Sequence, residues 1–142
     1  MGTLRAKSVG FLRVKSPNPR EHPQIDPKYF TSPSDLPDLV AAVKLTREIF
    51  AQKAFDQFRG DEVIPGNHVQ SDQEIENWVL DACETAYHPS CSAKMGKEND
   101  PLAVVDSKCR VFGVENLRIV DSSIMPSVAS GNPWLYCITY TV

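Results

Sequence analysis

Three short stretches of this chain carry side chains suited to moving a proton or to holding a hydroxylated ligand. The first runs from Tyr87-His88-Pro89-Ser90-Cys91 to Met95-Gly96. Imidazole is the side chain best matched to proton transfer near neutral pH, and Pro89 favours an extended backbone at His88. A histidine in such a place also serves as an ordinary structural hydrogen-bonding group, and residue type alone does not separate the two. The second stretch is Leu117-Arg118-Ile119-Val120-Asp121-Ser122-Ser123. A carboxylate ending a strand can accept hydrogen bonds from a ribose or ribityl hydroxyl. Asp and Ser equally cap turns, so Asp121 keeps that second reading. The third is Met125-Pro126 through Ser130-Gly131-Asn132, in which Gly131-Asn132 alone is an ordinary turn signal. Cys83, His88 and Cys91 lie near one another, but their spacing matches no zinc module and no second cysteine–histidine pair completes four ligands. No metal is expected.

These stretches need a scaffold. Val9 to Lys15 partly alternates apolar and polar residues and predicts a strand. Ser16 to Pro37 is rich in proline, which fixes φ and lacks an amide donor, so an ordered loop is expected there. A helix is predicted from Ser34-Asp35 to about Phe58, with Pro37 tolerated in its first turn and Leu36, Val40, Val43 and Phe50 on one face. Gly60 to Val69 reads as loop. Ser71-Asp72-Gln73-Glu74 is a capping box, because the hydroxyl and the carboxylate can each take the other residue's amide. It opens a second helix with Ile75, Trp78, Val79 and Ala82 at helical spacing, expected to end near Thr85. After a polar loop over Lys94–Asp100, strand-like runs are predicted at Ala103–Val105, Arg110–Phe112 and Leu117–Val120. The turn Gly113–Asn116 separates the last two.

Composition narrows the partners. The 142 residues are 42% hydrophobic and 23% charged, with a formal net charge of -3, near the average for a globular domain. No basic stripe suggests nucleic acid, and no apolar run approaches the roughly 18 residues of a membrane span. The N-terminus has neither the apolar core of a signal peptide nor the Ser or Thr that a myristoylation motif needs at Ala6. The cysteines Cys83, Cys91, Cys109 and Cys137 are irregularly spaced and are expected to be reduced thiols, mostly buried.

Taken in order, the stretches resemble the C-terminal signature of the glucose–methanol–choline oxidoreductases. The matching residues are Tyr87-His88-Pro89, Met95-Gly96, Val105-Asp106, Arg110, Gly113, Leu117-Arg118, Asp121, Ser123, Met125-Pro126 and Ser130-Gly131-Asn132. Upstream, Gly10-Phe11-Leu12 through Pro17-Asn18-Pro19 and His22-Pro23 resemble the opening of this region. Lys44 through Gln52 and Tyr87 through Cys91 are similar to the choline-oxidising, vertebrate-type members. The likeness covers roughly residues 8–132 of a single domain, 1–142.

The resemblance implies an α+β fragment holding part of a substrate domain and the C-terminal piece of a FAD-binding domain. It implies FAD as cofactor and oxidation of a primary alcohol, choline to betaine aldehyde. It places His88 over the flavin as the residue that handles the hydroxyl proton, with Asn132, 44 residues on, as a second polar contact on the same oxygen. It places Asp121, Ser122, Gly131 and Asn132 against the cofactor, and it implies a mitochondrial location.

Two departures qualify these expectations. No G-x-G-x-x-G loop, which the family uses for the ADP half of FAD, occurs in the chain. The aromatic and acidic groups expected around a quaternary ammonium are also missing. Residues 133–142 form an apolar, β-prone tail unlike the family's ending, as a truncated or alternatively spliced product would have. Three readings therefore stand: a flavin-dependent alcohol oxidoreductase, an inactive fragment of one, and an interaction module pairing with a full-length enzyme. Phe11, Leu12, Phe112, Ile119 and the tail aromatics are expected to form an exposed apolar surface open to self-association.

Overall fold

The computed structural model describes residues 2–132. The chain divides into two compact units, one formed by residues 2–10 with Pro27–Ala86 and the other by Phe11–Asp26 with residues 87–132. Helices and short strands occur together, the α+β mixture that the sequence predicts.

The first unit is a helical hairpin. Helix α1 spans Asp35–Phe50 and α2 spans Asp72–Ala82. Val40, Val43, Val69, Ile75 and Val79 form a buried cluster, with Leu36, Leu39, Phe30 and Trp78 packed around it. Ile75 is fully buried. Phe50 and Ala82, expected on the buried faces, are exposed. Asp35 is the buried charge at the start of α1. Its carboxylate accepts the Lys7 amide at 2.8 Å, the Ser8 amide at 3.0 Å and the Ser8 hydroxyl. Burial pushes this carboxyl up, but those bonds and the Lys7 charge outweigh it and hold it below its ordinary value.

Helix α1 stops eight residues before the predicted end because its last carbonyls find other partners. The Gln52 side chain donates to Glu48 O at 3.0 Å and Arg59 donates to Phe50 O at 2.7 Å. Phe55, in a 3₁₀ turn over Lys53–Phe55, folds back to 5.1 Å from the Phe50 ring. These contacts satisfy groups that a longer helix would have satisfied within itself. The predicted capping box opens α2: Glu74 N donates to Ser71 Oγ at 3.3 Å, and Ser71 N donates to Glu74 Oε2 at 2.8 Å. Helix α2 ends at Ala82, three residues before Thr85. The loop that follows α1 is pinned by Arg47, whose guanidinium makes three bonds to the Glu62 carboxylate and a fourth to Val69 O at 2.8 Å.

In the second unit the predicted strand shortens to β1, Phe11–Arg13. It pairs antiparallel with β2, Gln24–Asp26, in the register Phe11↔Asp26, Leu12↔Ile25, Arg13↔Gln24. β2 lies inside the proline-rich stretch expected to be loop. Pro23 and Pro27 flank it and none lies within it, so no ladder amide is missing. The three later runs do not become strands. They touch through single bridges, Met95↔Val105, Val105↔Val111 and Arg110↔Arg118. The chain cannot extend further because Cys109 and Asn116 turn it with φ values of 62° and 60°. Val105, at 0% exposure, is the hub of these bridges.

Gly96 is needed for close approach. A Cβ built there would lie 2.9 Å from the Ala103 Cβ. The expected apolar surface is only partly exposed: Leu12 is open, whereas Phe11, Phe112 and Ile119 are half-buried. Alternation along β1 puts Phe11 on the opposite face from Leu12, and the Arg13 guanidinium lies 4.7 Å from the Phe11 ring. The tail aromatics and Cys137 lie outside the described residues. The other three cysteines are free thiols, with Cys83 exposed and Cys91 and Cys109 half-buried. They are less buried than expected because they stand on loops and at the C-cap of α2, not on the inner helix faces. Among the described residues no helix is long and apolar enough to cross a membrane.

Candidate active site

His88 stands beyond the end of α2, exposed, between two residues with left-handed backbones: Tyr87 at φ 58° and Cys91 at φ 67°. Such φ values are uncommon for residues with a Cβ and persist only where surrounding contacts impose them. Here the contacts come from a second strip of chain, residues 122–124. Cys91 N donates to Ser122 O at 3.3 Å, Ala93 N to Ser123 O at 2.9 Å, and Met95 N to Ile124 O at 2.8 Å. The Ser122 hydroxyl closes the series by donating to Pro89 O at 2.9 Å.

That second strip is itself fixed. Ile124 and Met125 are buried at 1% and 6% exposure. Asp121 precedes a 3₁₀ turn over Ser122–Ile124, and its side chain accepts the Ser123 amide at 2.8 Å. The Ser123 hydroxyl and amide hold the Asp121 carboxyl below its ordinary value, so it is ionised at neutral pH. The carboxylate thus caps the turn through Ser123.

The structure therefore brings the His88 segment together with Asp121 and Ser122. The ladder stops short of Gly131 and Asn132. Gly131 is half-buried and adopts φ 125°, a conformation that residues with a Cβ rarely take. Asn132 is exposed and is the last described residue.

Nearby in sequence, the Val105-Asp106 and Arg110 motif residues form a tight polar turn. Asp106 accepts the Lys108 amide at 2.8 Å, the Arg110 amide at 2.9 Å and the Arg110 Nε at 2.7 Å. The Arg110 side chain and amide draw its carboxyl down to about 2. A cleft of about 630 Å³ opens beside this turn, with Glu98, Phe112, Leu117 and Arg118 among its lining.

Sequence reasoning missed the ladder and the clasp from Ser122 to Pro89. Pairing across 33 residues leaves no local pattern. The only signal was a second hydroxyl inside the Asp121-Ser122-Ser123 run. Chemically, the imidazole, carboxylate and hydroxyl carried by these two strips are groups of the kind that hold a polyol-bearing cofactor and an alcohol. Among the described residues no cluster of three or more His, Cys, Asp or Glu is placed to hold a metal.

A family model described as GMC oxidoreductase matches residues 6–141. The chain belongs to the GMC oxidoreductase family. It is 57% identical over 132 residues to the mitochondrial choline dehydrogenase of Mus musculus, covering 93% of this chain and 22% of that protein. It is 50% identical over 132 residues to an oxygen-dependent choline dehydrogenase of Brucella ovis, covering 93% of this chain and 24% of that one. Among solved structures, pyridoxine 4-oxidase from Mesorbium loti superposes with a TM-score of 0.83 at 30% identity, over 97% of this chain and 27% of that chain. A FAD-dependent oxidoreductase from Chaetomium thermophilum superposes with a TM-score of 0.78 at 30% identity, over 90% and 22%. The chain thus spans between 22% and 27% of each relative's length.

Proposed function

We propose that this chain supplies the substrate-side chemistry of a flavin-dependent oxidoreductase acting on a primary alcohol, with choline as the substrate and betaine aldehyde as the product. The supporting observation is the ladder that ties residues 89–95, the chain just after His88, to residues 122–124, the turn that Asp121 caps. The likeness to the mouse choline dehydrogenase supports the choice of choline and a mitochondrial setting.

When bound, FAD would supply the acceptor for the hydride that leaves the alcohol carbon. The work of the chain is proton handling and orientation. The His88 imidazole takes the hydroxyl proton as the hydride leaves, or as imidazolium stabilises the alkoxide. The Asn132 carboxamide donates to the same oxygen and fixes its direction. The Asp121 carboxylate would accept from a cofactor hydroxyl. Gly131 lets backbone approach the cofactor without a Cβ in the way. The Ser122 proton is already given to Pro89 O, so Ser122 can meet the cofactor only as an acceptor.

A second reading has one specific observation behind it: no G-x-G-x-x-G loop lies within these 142 residues. Here the chain holds half a site, and it neither retains FAD nor turns over by itself. Incubation of the purified chain with excess FAD, followed by gel filtration, separates the two. A flavin absorbance co-eluting with protein supports the first reading. His88→Ala should then lower kcat for choline by about 10²- to 10⁴-fold, the usual contribution of a positioned acid or base. A colourless protein, or an alanine variant with undiminished turnover, would sink it.

A further inference from the structure

We infer that Ser122 is a positioning residue for His88, acting as a two-point clasp on the loop that presents the imidazole. This rests on the proposed role of His88 as the proton-handling group. The Ser122 hydroxyl donates to Pro89 O at 2.9 Å, and its carbonyl accepts the Cys91 amide at 3.3 Å. These two points straddle Ser90 and hold the chain immediately after His88.

The loop needs such a clasp. His88 is exposed, and among the described residues its imidazole makes no hydrogen bond or ion pair. Tyr87 and Cys91, on either side, hold left-handed conformations that would relax if the loop were released. Ser122 is a sound anchor because its neighbours are immobilised. Asp121 caps the turn, and Ile124 and Met125 are buried. The path from buried core to imidazole is therefore Ile124, Ser122, Pro89, His88. Alanine at 122 would keep the carbonyl contact and lose the hydroxyl contact, leaving Pro89 O without its partner. Threonine would keep the hydroxyl.

The test uses the intact 142-residue chain and, where turnover is measurable, its FAD-loaded form. In the chain, the clasp predicts that Ser122→Ala speeds amide exchange at Cys91 by roughly 5- to 10-fold, the effect of losing about one hydrogen bond. Exchange at Val79 in α2 should stay unchanged, which verifies folding. Ser122→Thr should return Cys91 to the parent rate. In the loaded form, Ser122→Ala should lower kcat about tenfold with KM within about twofold, and should shift the pH profile of kcat, again with rescue by threonine. Unchanged exchange at Cys91 overturns the clasp, as does equal damage by alanine and threonine. Loss of flavin from the alanine variant with normal Cys91 exchange also overturns it, because Ser122 would then act on the cofactor directly. If His88→Ala proves harmless while Cys91 responds as expected, the proposed function fails and the clasp is a structural feature alone.

Discussion

The helical hairpin of residues 27–86 buries five aliphatic side chains between and beside two helices, whereas residues 87–132 bury Val105, Ile124 and Met125. The second region is ordered instead by a ladder of amide bonds, single-residue bridges and carboxylate-centred turns. It is also the region that carries every candidate chemical group. Polar loops can aim side chains that a continuous helix or strand would lock into a fixed period, and the left-handed residues around His88 are part of that freedom. What such a region lacks is apolar area, so single hydrogen bonds matter more to its geometry than they would inside the hairpin.

Replacing the hub of each region tests this contrast. Ile75→Ala should destabilise by about 2–5 kcal/mol, the range for a large buried aliphatic residue, and should lower the urea midpoint. Val105→Ala removes less volume. It should cost about 1–3 kcal/mol on the same reasoning, with the loss concentrated in amide protection at Met95 and Gly96. A cost for Val105→Ala equal to that of Ile75→Ala would mean that the second region depends on its core as much as the first.

A smaller effect belongs to the capping box. Ser71→Ala should cost about 1 kcal/mol and fray the first turn of α2, read as faster exchange at Glu74 and Ile75. The gentlest test is acid. The Asp106 carboxyl sits near 2 when folded against an ordinary value of 3.8. Its contribution to stability is therefore complete above about pH 5 and is lost as pH falls through the folded value. The Arg110 amide should keep its protection down to about pH 4 and lose it toward pH 2. Asp106→Asn should show weaker protection across the whole range. A variant that matched the parent at pH 6 would remove the carboxylate from the account.

The two regions also differed in how readable they were from sequence. The capping box of α2 was legible because it is decided within one turn of chain, and the start of α1 because Pro37 is favoured in a first turn, although its Asp35 is held from Lys7 and Ser8. The end of α1 was not, since it depends on Arg59 and Phe55 reaching back. β2 was hidden among prolines because its pairing with β1 is a long-range match between short, weakly patterned segments. The three later runs had the composition of strands, but the turns at Cys109 and Asn116 left each only a bridge. At the site, His88, Asp121 and Asn132 were legible as residue types in an ordered motif. The contacts between segments were not, since hydrogen bonds from residues 91–95 to 122–124 need no particular side chains.

Gly96 bears on which positions of this chain tolerate a side chain. It touches no candidate chemical group, and by residue type it would be scored as a bland loop position. Yet any replacement forces a Cβ to within 2.9 Å of the Ala103 Cβ, and it does so where Gly96 N donates to Val105 O. A substitution there would disturb the packing around Ala103 and Val105 while leaving His88, Asp121, Ser122 and Asn132 unchanged in sequence. Gly60, with open space around its missing Cβ, would tolerate the same change. Two glycine variants that look alike on paper should therefore differ sharply in effect.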